Sequence, residues 1–352
     1  MQQWKNLWEM IQKKIPPKIY KLILCYMRGI KTMNNIMILS AGRRVELVQR
    51  FKKAAKELNI DSKIIAADIS ETAPAIYFAD KYYLVPRISA YNYIDEIINI
   101  CKKEDIVLVI PTIDTELLKL SENRDKIENS CKAKLHLSRQ EVIKICRNKH
   151  NTQKFLEKNN FGVPKCLSDE DISNKNYNFP LFIKPEDGSS SKNAFKINNE
   201  KELMFFKDYI DKPIIQEFMH GTEYSVDVFC DFDSNPITIV PRKRLAVRSG
   251  EILKGQIEKN MDIINDVKRM IDILKPIGHI TIQCMITDAG IEYIEINPRF
   301  GGGAPMSIDA GADSCKNLFR LLKGEKLSYN EDYIDHMYFA RFDSSIEIKN
   351  YD

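Results

Sequence analysis

Two apolar stretches, residues 281–286 and 291–297, flank Thr287-Asp288-Ala289-Gly290, and Pro298-Arg299-Phe300-Gly301-Gly302-Gly303 follows the second. This pattern predicts a β-hairpin. With a three-residue loop over 288–290, Thr287 faces Ile291 and Gln283 faces Glu295. Side chains alternate along a strand, so Gln283, Glu295 and Asn297 share one face while Glu292, Ile294 and Ile296 point to the other. Carboxylate and amide oxygens without His or Cys suit a hard cation, and magnesium held partly by phosphates is the usual occupant. Arg299, two residues beyond Asn297, would stand just past that cation with a guanidinium for a transferring phosphoryl group. The alternative is a solvated polar face on an edge hairpin.

Lys184 ends the apolar run Leu181-Phe182-Ile183 and is followed by Glu186-Asp187-Gly188-Ser189-Ser190-Ser191-Lys192. Small residues let backbone N–H groups close over phosphates, and a neighbouring lysine supplies charge. No GxxxxGK[ST] precedes a helix here, so this is not a P-loop, and by itself the segment reads equally as a surface turn. Ile214-Ile215-Gln216-Glu217-Phe218, running on to Glu223, is an apolar strand that breaks into an acidic, aromatic connector. Such a connector can offer main-chain groups to an adenine edge and a carboxylate to ribose hydroxyls, and is also an ordinary strand corner.

The surrounding elements change character along the chain. Apolar runs at 36–40, 62–67 and 106–110 alternate with helical patterns such as Val45, Leu47, Val48 and Phe51. This predicts parallel crossovers in a first α/β domain at 34–130, with a ligand crevice at the carboxyl ends of the strands. Arg43, Arg44, Thr112, Asp114 and Glu116 lie at those ends, as helix caps or as substrate contacts. From residue 131 the strands come as neighbours, at 181–185, 214–216, 224–229, 237–240, 280–286 and 291–296, which predicts α+β structure with antiparallel sheets. Arg242, Lys243, Arg244 and Arg248 are expected in a basic loop after 240.

The 352 residues, 44% hydrophobic and 29% charged, suffice for two or three packed domains. Eight cysteines without a CxxC pair or a Cys/His cluster read as reduced thiols in a cytoplasmic protein. Of the net charge of +4, residues 1–33 contribute +6 and the remainder −2, so the folded body lacks the basic charge of a nucleic-acid binder. Trp4, Leu7, Trp8 and Ile11 stand at helical spacing in that extension, which reads either as packing on the body or as a peripheral membrane or protein contact.

In chain order, Lys149, Lys184 with its serine-rich loop, Gln216-Glu217-Phe218, Glu223, Gln283, Glu295, Asn297 and Arg299 resemble the nucleotide site of the ATP-grasp superfamily. The likeness runs from Ile36 onward and is nearest to ligases similar to the large chain of carbamoyl-phosphate synthase. It implies a parallel α/β pre-ATP-grasp domain and then a two-lobed ATP-grasp fold over 131–352, with a lid lobe at about 150–225 and a metal-binding lobe at about 226–330. The resemblance further implies that Lys149 and Lys184 contact ATP phosphates and that Gly188, Ser189, Ser190 and Ser191 form a lid. Gln216, Glu217 and Phe218 would form the adenine hinge, and Glu223 would bind ribose. Gln283, Glu295 and Asn297 would hold Mg2+ or Mn2+, with Arg299 on the phosphoryl group. The sequence departs from the pattern in having a single lid glycine and no room for duplicated halves or an ammonia supply, so a small stand-alone ligase is implied.

The expected reaction is ADP-forming activation of a small-molecule carboxylate as an acyl phosphate, followed by attack of an amine or similar nucleophile, in a chain able to form homo-oligomers. An anionic substrate is expected between Arg299, the three glycines and Arg244, which is the third candidate catalytic residue beside Arg299 and Lys184. The competing readings are a nucleotide-binding regulatory protein without turnover, and a nicotinamide-dependent oxidoreductase suggested by Asp68 after the second strand. The turn Ser40-Ala41-Gly42-Arg43-Arg44 lacks the GxGxxG of the latter.

Overall fold

A computed structural model describes residues 34–188 and 192–348, so expectations for residues 1–33 and for Ser189, Ser190 and Ser191 lie outside the described residues. The first half alternates β1 (Asn35–Leu39), α1 (Val45–Glu57), β2 (Ile64–Asp68), β3 (Lys81–Leu84), α2 (Tyr93–Lys103), β4 (Ile106–Pro111), α3 (Asp114–Glu122), α4 (Arg124–Ser130) and β5 (Lys134–Leu135). These strands form a parallel sheet in the order β3-β2-β1-β4-β5. β1 and β2 are buried at every position, as continuous apolar strands covered on both faces must be. The strand order reverses between β1 and β4, and the 40–44 turn lies at that crevice.

Ser40 and Gly42 adopt positive φ, 48° and 44°, to make the turn into α1. Asp68 fixes it: one carboxylate oxygen accepts the Gly42 N–H at 2.8 Å and the other the Ser70 N–H at 3.0 Å. Both oxygens are thereby engaged in shaping the loop, which removes the feature that suggested a dinucleotide-binding acid.

After α5 (Gln140–Arg147) and α6 (Lys149–Lys158) come α7 (Asp169–Ser173), β6 (Leu181–Pro185), β7 (Phe195–Ile197), α8 (Glu200–Tyr209) and β8 (Pro213–Glu217). The small antiparallel sheet β7-β6-β8 has its own core, in which Leu181, Ile183, Ile197, Leu203, Ile210 and Ile215 pack together. The rest of the chain builds β9 (Thr222–Cys230), β10 (Pro236–Arg248), β11 (Glu251–Ile257), α9 (Met261–Leu274), β12 (Gly278–Thr287), β13 (Gly290–Asn297), α10 (Ala304–Asp309), α11 (Ser314–Leu322) and β14 (Tyr338–Ala340). Its sheet, β13-β12-β9-β10-β11-β14, is antiparallel throughout. α9 covers one face, placing Ile263, Val267, Met270 and Ile271 against Val226 and Ile282; the other face carries polar side chains toward β13 and apolar ones, Phe229 and Val240 among them, where it packs on the rest of the fold. A further apolar cluster joins the halves, with Ile36, Ile38 and Phe51 packed with Phe229, Phe300 and Phe319. Parallel α/β followed by antiparallel lobes is the architecture expected from the sequence.

Two local expectations are corrected. Arg242, Lys243, Arg244 and Arg248 do not lie in a loop but on β10, which continues to Arg248 and pairs with β11. The hairpin register also differs. Gln283 opposes Glu295 and Thr281 opposes Asn297, as expected, but Cys284 opposes Tyr293 and Thr287 opposes Gly290, leaving a two-residue turn and Ile294 as a β-bulge. The extra residue breaks the alternation. Tyr293 and Ile296 both face the core, Ile294 faces the cleft, and Glu292, opposite Met285, falls on the same face as Glu295. Burial of Tyr293, whose hydroxyl donates to Asp266 at 2.8 Å, holds the slipped register in place.

Candidate active site

The polar face of the large sheet is the floor of a cleft of about 380 Å³. Its register sets the residues in rows. One row runs Glu295, Gln283, Ser225 and Arg242 across β13, β12, β9 and β10; the next holds Asn297, Thr281 and Asp227. Met285 and Glu223 begin the row on the other side. Gln283, Glu295 and Asn297 therefore meet as expected, with the Asn297 Nδ2 donating to Glu295 Oε1 at 2.9 Å. Arg299 Nη2 donates to Asn297 Oδ1 at 3.2 Å and to Asp114 Oδ2 at 2.6 Å, which ties this corner to the start of α3 in the first domain. Among the described residues no three His, Cys, Asp or Glu side chains group as a metal cage. One carboxylate with two amides is instead a donor set for a cation that takes its remaining oxygens from phosphates and water.

The small sheet faces this floor. Lys184, near the end of β6, is 7% exposed and lines the cleft with Lys149, Gly188, Gln216, Glu217 and Phe218. The Lys149 N–H donates to Glu186 O at 2.9 Å and its Nζ to Gly188 O at 2.6 Å, so the first turn of α6 is fastened to the segment that follows β6. Burial pushes the Lys184 ammonium down to about 8, opposed by attraction to Glu295 across the cleft, and burial lowers Lys149 in the same way. The Glu217 and Phe218 N–H groups are already taken by the carbonyls of Lys165 and Pro180. Met219, which the sequence did not single out, follows them on the cleft wall.

Arginines fill the remaining end. Arg244 is held from three sides: Nε lies 3.0 Å from Glu223 Oε1, Nη1 donates to Ser225 Oγ at 3.1 Å and Nη2 to Gly250 O at 2.9 Å. Burial raises Glu223 above the usual carboxylate range against the pull of Arg244. Arg242 is 1% exposed and its Nε and Nη2 lie 3.4 and 3.1 Å from Asp227 Oδ2. Burial pushes Asp227 up, but Arg242, His279 and Ser307 together hold it well below its ordinary value. Arg44 reaches the cleft from the first domain, whereas Arg43 turns outward to Asp343. Thr112 and Glu116 are internal: the Thr112 hydroxyl donates to Leu39 O and Ser40 O, while buried Glu116 accepts from Ser40, Thr112, Ile113 and Tyr93. Sequence reasoning placed Arg44 and Arg242 only among loosely assigned basic residues. The i, i+2 spacing of Arg242 and Arg244 is the strand signal that would have set them on one face.

Residues 146–303 match the family model of the ATP-grasp domain, and residues 36–133 match that of the PylC-like N-terminal domain. D-alanine--D-alanine ligase B of Clostridium perfringens is 25% identical over 193 residues, 48% of this chain and 63% of that protein. A D-alanine--D-alanine ligase of Francisella tularensis subsp. novicida is 27% identical over 152 residues, 40% of this chain and 51% of the relative. The chain thus spans less than two thirds of the length of these curated relatives, 63% and 51%. The ADP complex of N5-carboxyaminoimidazole synthetase from Staphylococcus aureus has the same fold, with a TM-score of 0.67 at 18% identity, over 84% of this chain and 79% of that one. So does the biotin carboxylase domain of Hydrogenobacter thermophilus 2-oxoglutarate carboxylase in complex with MgADP, with a TM-score of 0.69 at 17% identity over 87% and 73%. The chain carries an ATP-grasp domain over residues 146–303, preceded by a PylC-like N-terminal domain over residues 36–133.

Proposed function

We propose that this protein is an ATP-dependent, ADP-forming ligase that activates a small-molecule carboxylate as an acyl phosphate for attack by an amine or a similar nucleophile. The observation that carries this reading is one cleft lined on one side by Lys149 and Lys184 and on the other by Gln283, Glu295, Asn297 and Arg299. Cations on one jaw and oxygen ligands on the other suit a triphosphate lying between them. The names of the relatives, ligases and carboxylases with ADP complexes among them, support the same class.

In this reading Lys149 and Lys184 hold phosphate oxygens beside Gly188, and Glu223 takes the ribose. The adenine edge meets the 216–219 segment at Met219, because the Glu217 and Phe218 N–H groups are occupied. Gln283, Glu295 and Asn297 would hold magnesium, which when bound neutralises phosphate charge. Arg299, oriented by Asp114, stabilises the γ-phosphoryl group as a substrate carboxylate oxygen attacks its phosphorus and ADP leaves. The nucleophile then adds to the acyl carbon and phosphate departs.

The test is a screen of carboxylic acids and amines for ADP release, with hydroxylamine to trap the acyl phosphate. Acid-dependent ADP release with hydroxamate formation is the expected result. Nucleotide binding without ADP release for any acid would overturn the ligase reading in favour of a nucleotide-binding protein without turnover.

A further inference from the structure

Among the described residues Arg242 is the largest fully buried side chain, yet its Nη1 has no hydrogen-bond partner there. A buried guanidinium N–H left unpaired is unfavourable, so its persistence points to a ligand. The rest of the group is clamped. Asp227, which accepts from Nη2, is itself fixed by Thr281 Oγ1 at 2.9 Å and Ser307 Oγ at 2.6 Å, and lies 3.6 Å from His279 Nε2. Two glycines make room for the guanidiniums, and the face of Arg242 lies on Gly303. A Cβ on Gly303 would stand 2.5 Å from Arg242 Nη1, and one on Gly302 would stand 3.0 Å from Arg44 Nη1. Two guanidiniums from different domains thus approach one side-chain-free turn.

Arg44 is lightly bonded as well. Its Nη2 donates to Thr112 O at 3.4 Å, and burial, followed by repulsion from Arg299, lowers it to about 10. Glu251, whose Oε2 bonds Arg341 at 3.1 Å, and Asp114 offset part of this, and Glu251 Oε1 would stand 3.5 Å from a Cβ on Gly302. On the floor, Arg242 stands three strands from Glu295, about 14 Å at the usual strand spacing, well away from the edge that gathers Gln283, Glu295 and Asn297.

We propose that Arg44 and Arg242, meeting across Gly302 and Gly303, form an anion subsite that binds a carboxylate or phosphate group of the substrate. The proposal deepens the ligase reading and rests on it for the word substrate. It moves the expected anion contact from Arg244, each of whose nitrogens faces a protein acceptor, to Arg242, whose Nη1 faces none, and to Arg44 beside it. The first domain then supplies half of the subsite.

The test is isothermal titration of the full chain, saturated with MgADP, against inorganic phosphate and separately against succinate. Millimolar binding of one anion is expected, phosphate or succinate identifying the group, with about a tenfold loss in Arg44→Gln and in Arg242→Gln. Arg242→Gln strips Asp227 of its counter-charge and can unfold the chain, so Arg44→Gln decides. Equal binding by wild type and Arg44→Gln, or binding of neither anion by wild type, overturns the subsite. A phosphate response lost in Arg299→Gln but kept in Arg44→Gln places the anion at the phosphoryl position and also overturns it. Failure of MgADP to bind sinks the ligase reading instead, and the same titrations without nucleotide still decide the subsite.

Discussion

Glu295 is the one acidic side chain of the three that converge on the hairpin corner, beside two neutral amides. Glu295→Gln keeps shape and hydrogen bonding while removing the charge that opposes a divalent cation, so magnesium-dependent ADP release should collapse with the circular dichroism spectrum unchanged. Asn297→Ala should lose less. Glu292→Gln should leave turnover within about twofold, because two rungs of strand, about 7 Å, separate Glu292 from Glu295, and Thr287 Oγ1 already bonds it at 2.8 Å. The sequence places that residue on the opposite face and makes the same forecast for a reason the structure removes. Lys184→Ala should weaken nucleotide binding by about 1–3 kcal/mol. Its folded value near 8 lies below the unfolded one, so between about 8 and 10.5 the unfolded chain holds the extra proton and stability rises with pH. Nucleotide affinity should run the other way, falling as pH passes about 8, and Lys184→Arg should flatten that decline in a fluorescence titration. The chemical identities at the site were legible in residue order. The setting of Arg242 was not, since Asp227, which accepts from it, and Thr281 and Ser307, which donate to Asp227, are scattered through the chain and meet only through sheet register and α10.

At the scale of elements, alternating apolar runs announced the strands correctly but not their irregularities. A bulge at Ile294 depends on Tyr293 finding a core pocket and on a backbone that packs alongside, and neither is encoded in hairpin chemistry. That backbone belongs to Gly162: it forms a parallel bridge to Glu292, and the Tyr293 N–H donates to its carbonyl at 2.8 Å. A Cβ at Gly162 would run into the Ile291 carbonyl, a contact that no side-chain rotation relieves. Gly162→Ala should therefore cost about 1–3 kcal/mol in urea denaturation and, by shifting β13, reduce magnesium-dependent activity as well. The basic segment was misread for a related reason: charged residues on a strand that floors a cleft are as polar as a loop, and only their two-residue period separates the cases.

Across the whole molecule, the first domain and the large sheet share a core. Phe300 packs edge-on to Phe51 with centroids 6.0 Å apart and stacks on His279 at 4.2 Å, immediately after the residues that reach the cleft. Phe300→Ala should cost about 3–5 kcal/mol, and calorimetry should show both halves melting in one transition rather than two. Deleting residues 1–33 should leave nucleotide affinity unchanged, as each residue proposed to hold the nucleotide, from Lys149 to Arg299, lies beyond them. The small sheet differs in having a core of its own, with Lys184 and Gln216 carried on a body distinct from the one that carries Glu295 and Asn297. A nucleotide held by both acts as a rivet between two separately packed bodies. Its presence should slow amide hydrogen exchange in β6 and β8 far more than in β9 and β12, where the strands are already interlocked, so exchange protection would report occupancy even for a variant that no longer turns over.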